Sequence, residues 1–254
     1  MKIIWSIASA TYREIIRERL LYGIFLIAAL ITGASFFIST ISLDQNARVL
    51  QNTGLASIHL LTLFISVFVA TNSLSRDIDR RALYFLFPKP VSRAHYVLGK
   101  YVGFTLFMLT TLIVLGGLFS IGVAVVNVHV LGAAAINLVY SFLEISLLIA
   151  LATLFASFTA PLNASLYTLA IYAVGHSQSS LRDFVSGLNN SFLNGVIKTI
   201  YYVLPNLEKF DVRKSTLYQV PIPHGQVVWT IIYWILYTAI ALYLAVLVTR
   251  KREL

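Results

Sequence analysis

Glu144 is the one carboxylate set deep in an apolar stretch, about midway along residues 131–158. A charge at that depth in lipid is costly, and two readings follow. Either the group is protonated or hydrogen-bonded and fastens two helices, or it serves a translocation path or a subunit interface. Thr110 and Thr111, at similar depth in the preceding apolar run, are the partners the sequence offers. No chain of ionisable groups accompanies Glu144 along the sequence, which argues against proton coupling. The five histidines, His59, His95, His129, His176 and His224, contain no i, i+3 or i, i+4 pair. His129, His176 and His224 fall on one predicted face of the membrane and could meet in space. Scattered interfacial histidines are nevertheless the ordinary case, and no metal site is expected. The chain has no cysteine, which removes disulfides, thiolate metal sites and thiol nucleophiles.

Nucleotide chemistry is excluded more firmly. A phosphate-binding loop needs a glycine-rich turn whose amides cradle the phosphates and a lysine followed by Ser or Thr. The single Gly-Lys pair is Gly99-Lys100, with Tyr101 where the hydroxyl is required and Ala94 where the first glycine should stand. The chain is therefore expected to be neither an ATPase nor any other enzyme, with no catalytic residue and no bound cofactor.

The elements that carry these residues follow from charge spacing. Of 254 residues, 58% are hydrophobic and 11% charged, with a mean hydropathy of +0.82. Soluble domains carry roughly 25% charge, so most apolar surface here must face lipid. The net charge of +9 sits in short blocks between apolar runs, which points to a membrane protein and not to nucleic acid. One crossing needs about 20 apolar residues. By that measure 20–41, 55–74, 96–126, 131–158 and 227–248 are transmembrane helices, and 162–176 is a short fifth crossing between the fourth and the last. The 43 uncharged residues between Lys100 and Glu144 would make a helix of roughly 64 Å, so they fold back at Asn127-Val128-His129. Pro161 ends the fourth crossing. With both termini cytoplasmic, 13 of the 19 cations lie inside, in keeping with the positive-inside rule. Residues 177–226 form an extracytoplasmic loop whose apolar piece, 192–204, is read as re-entrant. The fold class is thus an all-α membrane protein with six transmembrane helices.

Two further segments lie on the cytoplasmic side. Residues 1–19 place Ile4, Ile7, Ala8, Tyr12, Ile15 and Ile16 on one face and Lys2, Arg13 and Arg17 on another, the pattern of an amphipathic interfacial helix. Residues 76–87 start with Arg76, Asp77, Asp79, Arg80 and Arg81 and end with Leu83, Phe85 and Phe87 before Pro88. Asp77 and Asp79 suit a helix N-terminus. Its aromatic end lies on the bilayer or fills a groove on a partner protein. Gly99 and Gly103 form a G-x-x-x-G pattern, which permits close helix approach in lipid.

The run from Arg76-Asp77-Ile78-Asp79-Arg80-Arg81 through Phe87-Pro88-Lys89-Pro90-Val91-Ser92-Arg93 to Gly99-Lys100-Tyr101-Val102-Gly103 resembles the first cytoplasmic loop of ABC-2 type transporter permeases, nearest the NosY-like branch. Tyr12-Arg13-Glu14, Leu204-Pro205-Asn206-Leu207 and the Arg-Lys-Arg-Glu-Leu ending are also similar. Asp77 stands where the family more often has glutamate, and Ala82 where threonine is common. The resemblance implies an ABC-2 type transmembrane domain over 1–254, in the cytoplasmic (inner) membrane of a bacterium or archaeon. It implies a homodimer, or a pairing with a homologous permease, joined to two copies of an ABC ATPase subunit that binds ATP and Mg. It makes 76–87 the coupling helix, with Arg76, Asp77, Asp79, Arg80, Arg81, Leu83, Phe85 and Phe87 as the ATPase-coupling residues. The rival expectations are a secondary carrier or channel, and a non-transporting membrane scaffold.

Overall fold

A computed structural model describes residues 2–17, 33, 46–79, 92–126, 131–180, 203–217 and 220–251. Every regular element among them is helical: α1 (Lys2–Ile16), α2 (Asn46–Asp79), α3 (Arg93–Val126), α4 (Leu131–Ala156), α5 (Pro161–Gly175), α6 (Arg213–Leu217) and α7 (His224–Lys251), with a 3-10 turn at Leu207–Phe210. Four stretches are long and apolar enough to cross a membrane: Asn52–Asp77, Arg93–Ile121, Ala134–Ala156 and His224–Arg250. The chain is a helical, multi-pass membrane protein. The expected first crossing, 20–41, and the re-entrant piece, 192–204, lie outside the described residues, apart from Gly33 and from residues 203 and 204. The expected short crossing at 162–176 is helix α5, whose 15 residues rise about 22 Å, less than the hydrocarbon thickness of about 30 Å.

Helix α4 is the hub, packed against α2, α3, α5 and α7. Ile145, Leu147, Leu148, Ile149 and Ala150 are all fully buried, and so many consecutive positions can be covered only when a helix is surrounded on every side. At the opposite extreme, α7 leaves Trp229, Ile235, Leu236, Ile240 and Tyr243 exposed. It is the peripheral helix whose outward face the apolar composition required. Trp234 ties it inward, its indole N–H donating to Ser146 Oγ at 2.7 Å.

Chain-end chemistry sets the turns. Ser92 caps α3 by accepting from the His95 amide at 3.3 Å. Arg93 reaches across to α7, donating to the carbonyls of Thr249 (2.6 Å) and Arg250 (3.0 Å) in its last described turn. Pro161 opens α5, at a position where a helix has no use for an amide proton.

Helix α1 packs along α3. Ile4, Ile7, Ala8, Tyr12 and Ile15 lie on the buried or half-buried side as the periodicity predicts, joined by Thr11, whereas Ile16, expected on the same face, is exposed. The glycine pattern explains the closeness. A Cβ on Gly99 would stand 2.7 Å from Ile7 Cβ, and one on Gly103 would stand 2.8 Å from Thr11 Cβ and 2.9 Å from the Ala8 carbonyl. Only hydrogen fits at either position.

Candidate functional site

Three helices, α1, α2 and α3, meet near the C-terminal end of α2, and the connection from α2 to α3 is anchored there on both sides. Lys100 is almost wholly buried. Its ammonium lies 2.5 Å from Asp77 Oδ2, 3.3 Å from Ser73 Oγ and 3.4 Å from Glu14 Oε2, three partners for its three protons. Tyr96 donates its hydroxyl to the same Asp77 oxygen at 2.6 Å. One buried cation thus joins α1, α2 and α3. Helix α2 runs unbroken through Asp79, so Arg76, Asp77 and Asp79 form its last turn, and the helix N-terminus expected at Asp77 and Asp79 is instead a C-terminal end. Arg76 and Asp77 are half-buried there. Arg80, Arg81, Leu83, Phe85 and Phe87 lie outside the described residues.

The second cluster surrounds Glu144, halfway along α4 and almost completely buried. Its Oε1 lies 2.5 Å from His176 Nε2 and 3.7 Å from His59 Nε2. Thr110 and Thr111 are engaged elsewhere: Thr110 with the Tyr12 hydroxyl at 3.1 Å, Thr111 with the Phe107 carbonyl at 3.1 Å. His59 comes from α2, and its Nδ1 lies 3.0 Å from Ser141 Oγ. His176 follows directly on α5, its ring edge-on to Tyr172 at 4.7 Å between centroids. Three helices thus converge on one carboxylate.

No family model and no curated protein matches this chain.

The shortness of α5 makes the cluster possible. Because α5 stops at Gly175, His176 arrives level with the middle of α4, and the returning chain completes the bundle beyond it. A Cβ at Gly175 would stand 2.7 Å from Leu207 Cγ and 2.8 Å from the Pro205 carbonyl. The returning backbone therefore presses against the helix end. Leu207, Phe210 and Val212 are buried, and this fixes Asp211 and Arg213 beside the histidines. Arg213 grips Asp211 with Nε at 2.9 Å and Nη2 at 3.1 Å. Burial pushes the Asp211 carboxyl up, but the guanidinium outweighs it and holds the group below its ordinary value. Beyond them Asn137 donates to Thr216 Oγ1 at 2.6 Å.

His59, Asn137, Ser141, Glu144, Asp211 and Arg213 also border a cavity of about 10 Å³, the least that admits one water. A larger groove of about 700 Å³ lies between α4 and the start of α7. Its lining of Ile136, Val139, Val220, Ile222 and Val227 is mostly apolar, with His224 at its edge.

Among the described residues, the His/Asp/Glu group within reach of one metal ion is His59, Glu144 and His176. Spacing could not reveal it, since the two histidines and the carboxylate come from three helices. The one hint in the sequence was a carboxylate too deep to be without a partner.

Proposed function

We propose that this chain is the transmembrane permease subunit of an ATP-binding cassette exporter. In this reading it works as a homodimer with two copies of a separate ATPase subunit, which binds ATP and Mg and hydrolyses the nucleotide. The membrane is the cytoplasmic membrane of a bacterium or archaeon, with both termini and residues 76–93 on the cytoplasmic side.

The observation that carries the reading is the Lys100 joint. A segment that receives a push from a motor must pass it to several helices at once. Residues 80–91 leave α2 just after Asp77 and enter α3 shortly before Tyr96 and Lys100, and those three side chains are bonded to one another and to Glu14 of α1. Displacing the segment would therefore carry α1, α2 and α3 together. Arg76, Asp79, Arg80 and Arg81 would hold the motor electrostatically, while Leu83, Phe85 and Phe87 would fill its groove. Aromatic anchors of that kind supply most of the affinity in a transient contact.

The test is co-purification with the ATPase and transport in vesicles. Phe85→Ala with Phe87→Asp abolishes both while leaving the folded permease in the membrane. Unaltered capture of the ATPase by this variant would overturn the reading.

A second reading has one observation in its favour. Glu144, which has no ionisable companions along the sequence, has His59 and His176 beside it in space, and a carboxylate with two imidazoles is a set that an ion-coupled secondary carrier could use. Gradient-driven uptake by the purified chain alone, with no ATPase present, would favour the carrier.

A further inference from the structure

We propose that His59, Glu144 and His176 bind one divalent transition-metal ion, for which Zn²⁺ is the best-suited candidate, and that the ion clasps α2, α4 and α5 together. The inference does not depend on the transport reading.

The first ground is an unsatisfied atom. His59 Nε2 is buried and has no hydrogen-bond partner, yet it points at a carboxylate oxygen 3.7 Å away. If Nδ1 carries the proton and donates it to Ser141, Nε2 turns a lone pair toward Glu144, and two electron-rich atoms face each other in a buried site. If Nε2 carries the proton, it is a buried donor too far from its acceptor to bond. A cation between the two atoms resolves the first case fully. It also explains Ser141, since a metal-bound histidine ordinarily donates its other ring nitrogen to a fixed oxygen, which sets the tautomer.

The second ground is geometry. The three donor atoms lie within 4.8 Å of one another. Bonds of 2.0–2.2 Å in a tetrahedron separate neighbouring donors by about 3.3–3.5 Å. The His59–Glu144 spacing of 3.7 Å is already close to that, and the His176–Glu144 spacing of 2.5 Å needs to widen by about 1 Å. Two imidazoles with one carboxylate favour zinc and its neighbours over calcium or magnesium, which prefer oxygen throughout.

The third ground is the fourth position and the charge. His59 and Glu144 also border the small cavity, which leaves room for one water on the ion. As a metal ligand Glu144 would contribute one negative charge, while Asp211 and Arg213 pair with each other. A dication carrying one hydroxide would make the cluster neutral, which a buried site requires far more than an exposed one does.

The experiment uses the full-length chain, purified in detergent through a tag without histidine, stripped with chelator and titrated with Zn²⁺. About one zinc is retained per chain, and the melting temperature rises with zinc concentration, as linkage requires. His59→Gln and His176→Gln each weaken zinc binding by about tenfold or more, Glu144→Gln does likewise, and His224→Gln leaves it unchanged. X-ray absorption on the zinc-loaded wild-type protein is independent of whether the variants fold, and it reads two imidazole nitrogens and carboxylate oxygen at bonding distance. Absence of bound zinc in the wild-type protein overturns the proposal. So does zinc held equally well by the His59 and His176 variants, or a shell with fewer than two imidazoles.

Discussion

Lys100 Nζ lies 2.5 Å from Asp77 Oδ2, joining the end of α2 to the early turns of α3 through an amine that is 4% exposed. Removing one partner of a buried pair leaves the other charged and alone, at a cost of about 3–5 kcal/mol when both are fully buried.

Lys100→Met should therefore destabilise the detergent-solubilised protein by about 2–3 kcal/mol, discounted because the Asp77 side chain keeps 21% of its exposure. Adding Asp77→Asn should recover part of the loss, since the amide is uncharged and its oxygen can still accept from Tyr96. Thermal unfolding of the single and double variants measures both. A single variant as stable as the parent would remove the joint from any mechanical role.

Gly103→Leu should push α1 off α3, because the added carbons meet Thr11 and the Ala8 carbonyl. The chain has no native cysteine, so one introduced at Thr11 reports directly. It should resist a thiol reagent in the parent and react readily in the Gly103→Leu background. Gly117→Ala is the control, since nothing lies within 4 Å of a Cβ there.

Asp211 sets a pH limit. Its carboxyl sits below the ordinary value because the Arg213 guanidinium outweighs burial. A lowered native pKa adds stability that is fully present above the unfolded-state value of about 3.9 and is lost as pH falls through the native one. The pair should hence contribute fully and without pH dependence between about pH 5 and 8, and melting temperature should drop below about pH 4. Asp211→Asn should be less stable at neutral pH and should show a shallower acid limb. An equally steep acid limb in that variant would place the titrating group elsewhere.

The hydroxyl contacts between helices should matter less. Thr71 Oγ1 meets Ser165 Oγ at 2.7 Å, joining α2 to α5. Such contacts average about 0.6 kcal/mol within membranes. Ser165 also keeps its bond to the Pro161 carbonyl. Thr71→Val should thus cost under about 1 kcal/mol, well short of Lys100→Met in the same unfolding assay. A larger loss would mean that the two helices depend on this contact far more than its chemistry suggests.

Apolar periodicity and charge spacing placed four long helices within a few residues at most ends, because in lipid the length of an apolar run alone decides whether it crosses. Pro161 marked a real break, since a helix can start but not continue where an amide proton is missing, while the expected fold-back at Asn127-Val128-His129 lies outside the described residues. The Gly99–Gly103 pattern also found its partner, although the sequence could not say that the partner was α1. The environment of Glu144 was not legible. Thr110 lay at the right depth, but Tyr12 takes it, and the residues that do meet Glu144 are 85 positions before it and 32 after it in the chain. Depth can be counted along one helix. The direction in which a side chain faces depends on how several helices rotate against each other, and that is set by close packing at sites such as Gly54 on Phe119 and Gly116 on Leu138.

Helix α5 ends halfway, and the two mouths of the bundle are consequently built from different materials. Near Lys100 the walls are rods, whose backbone bonds close within each rod and survive sliding. Near Arg213 the wall is stitched by individual side chains: Glu208 holds the Ser179 amide, Tyr233 the Asn206 amide, and Gln178 the Leu204 carbonyl. A rod resists until it moves as a whole, whereas a stitched seam opens one thread at a time. Among the described residues, the Arg213 end can therefore loosen by losing one side-chain bond at a time, whereas the three helices at the other end are tied through the single cation of Lys100.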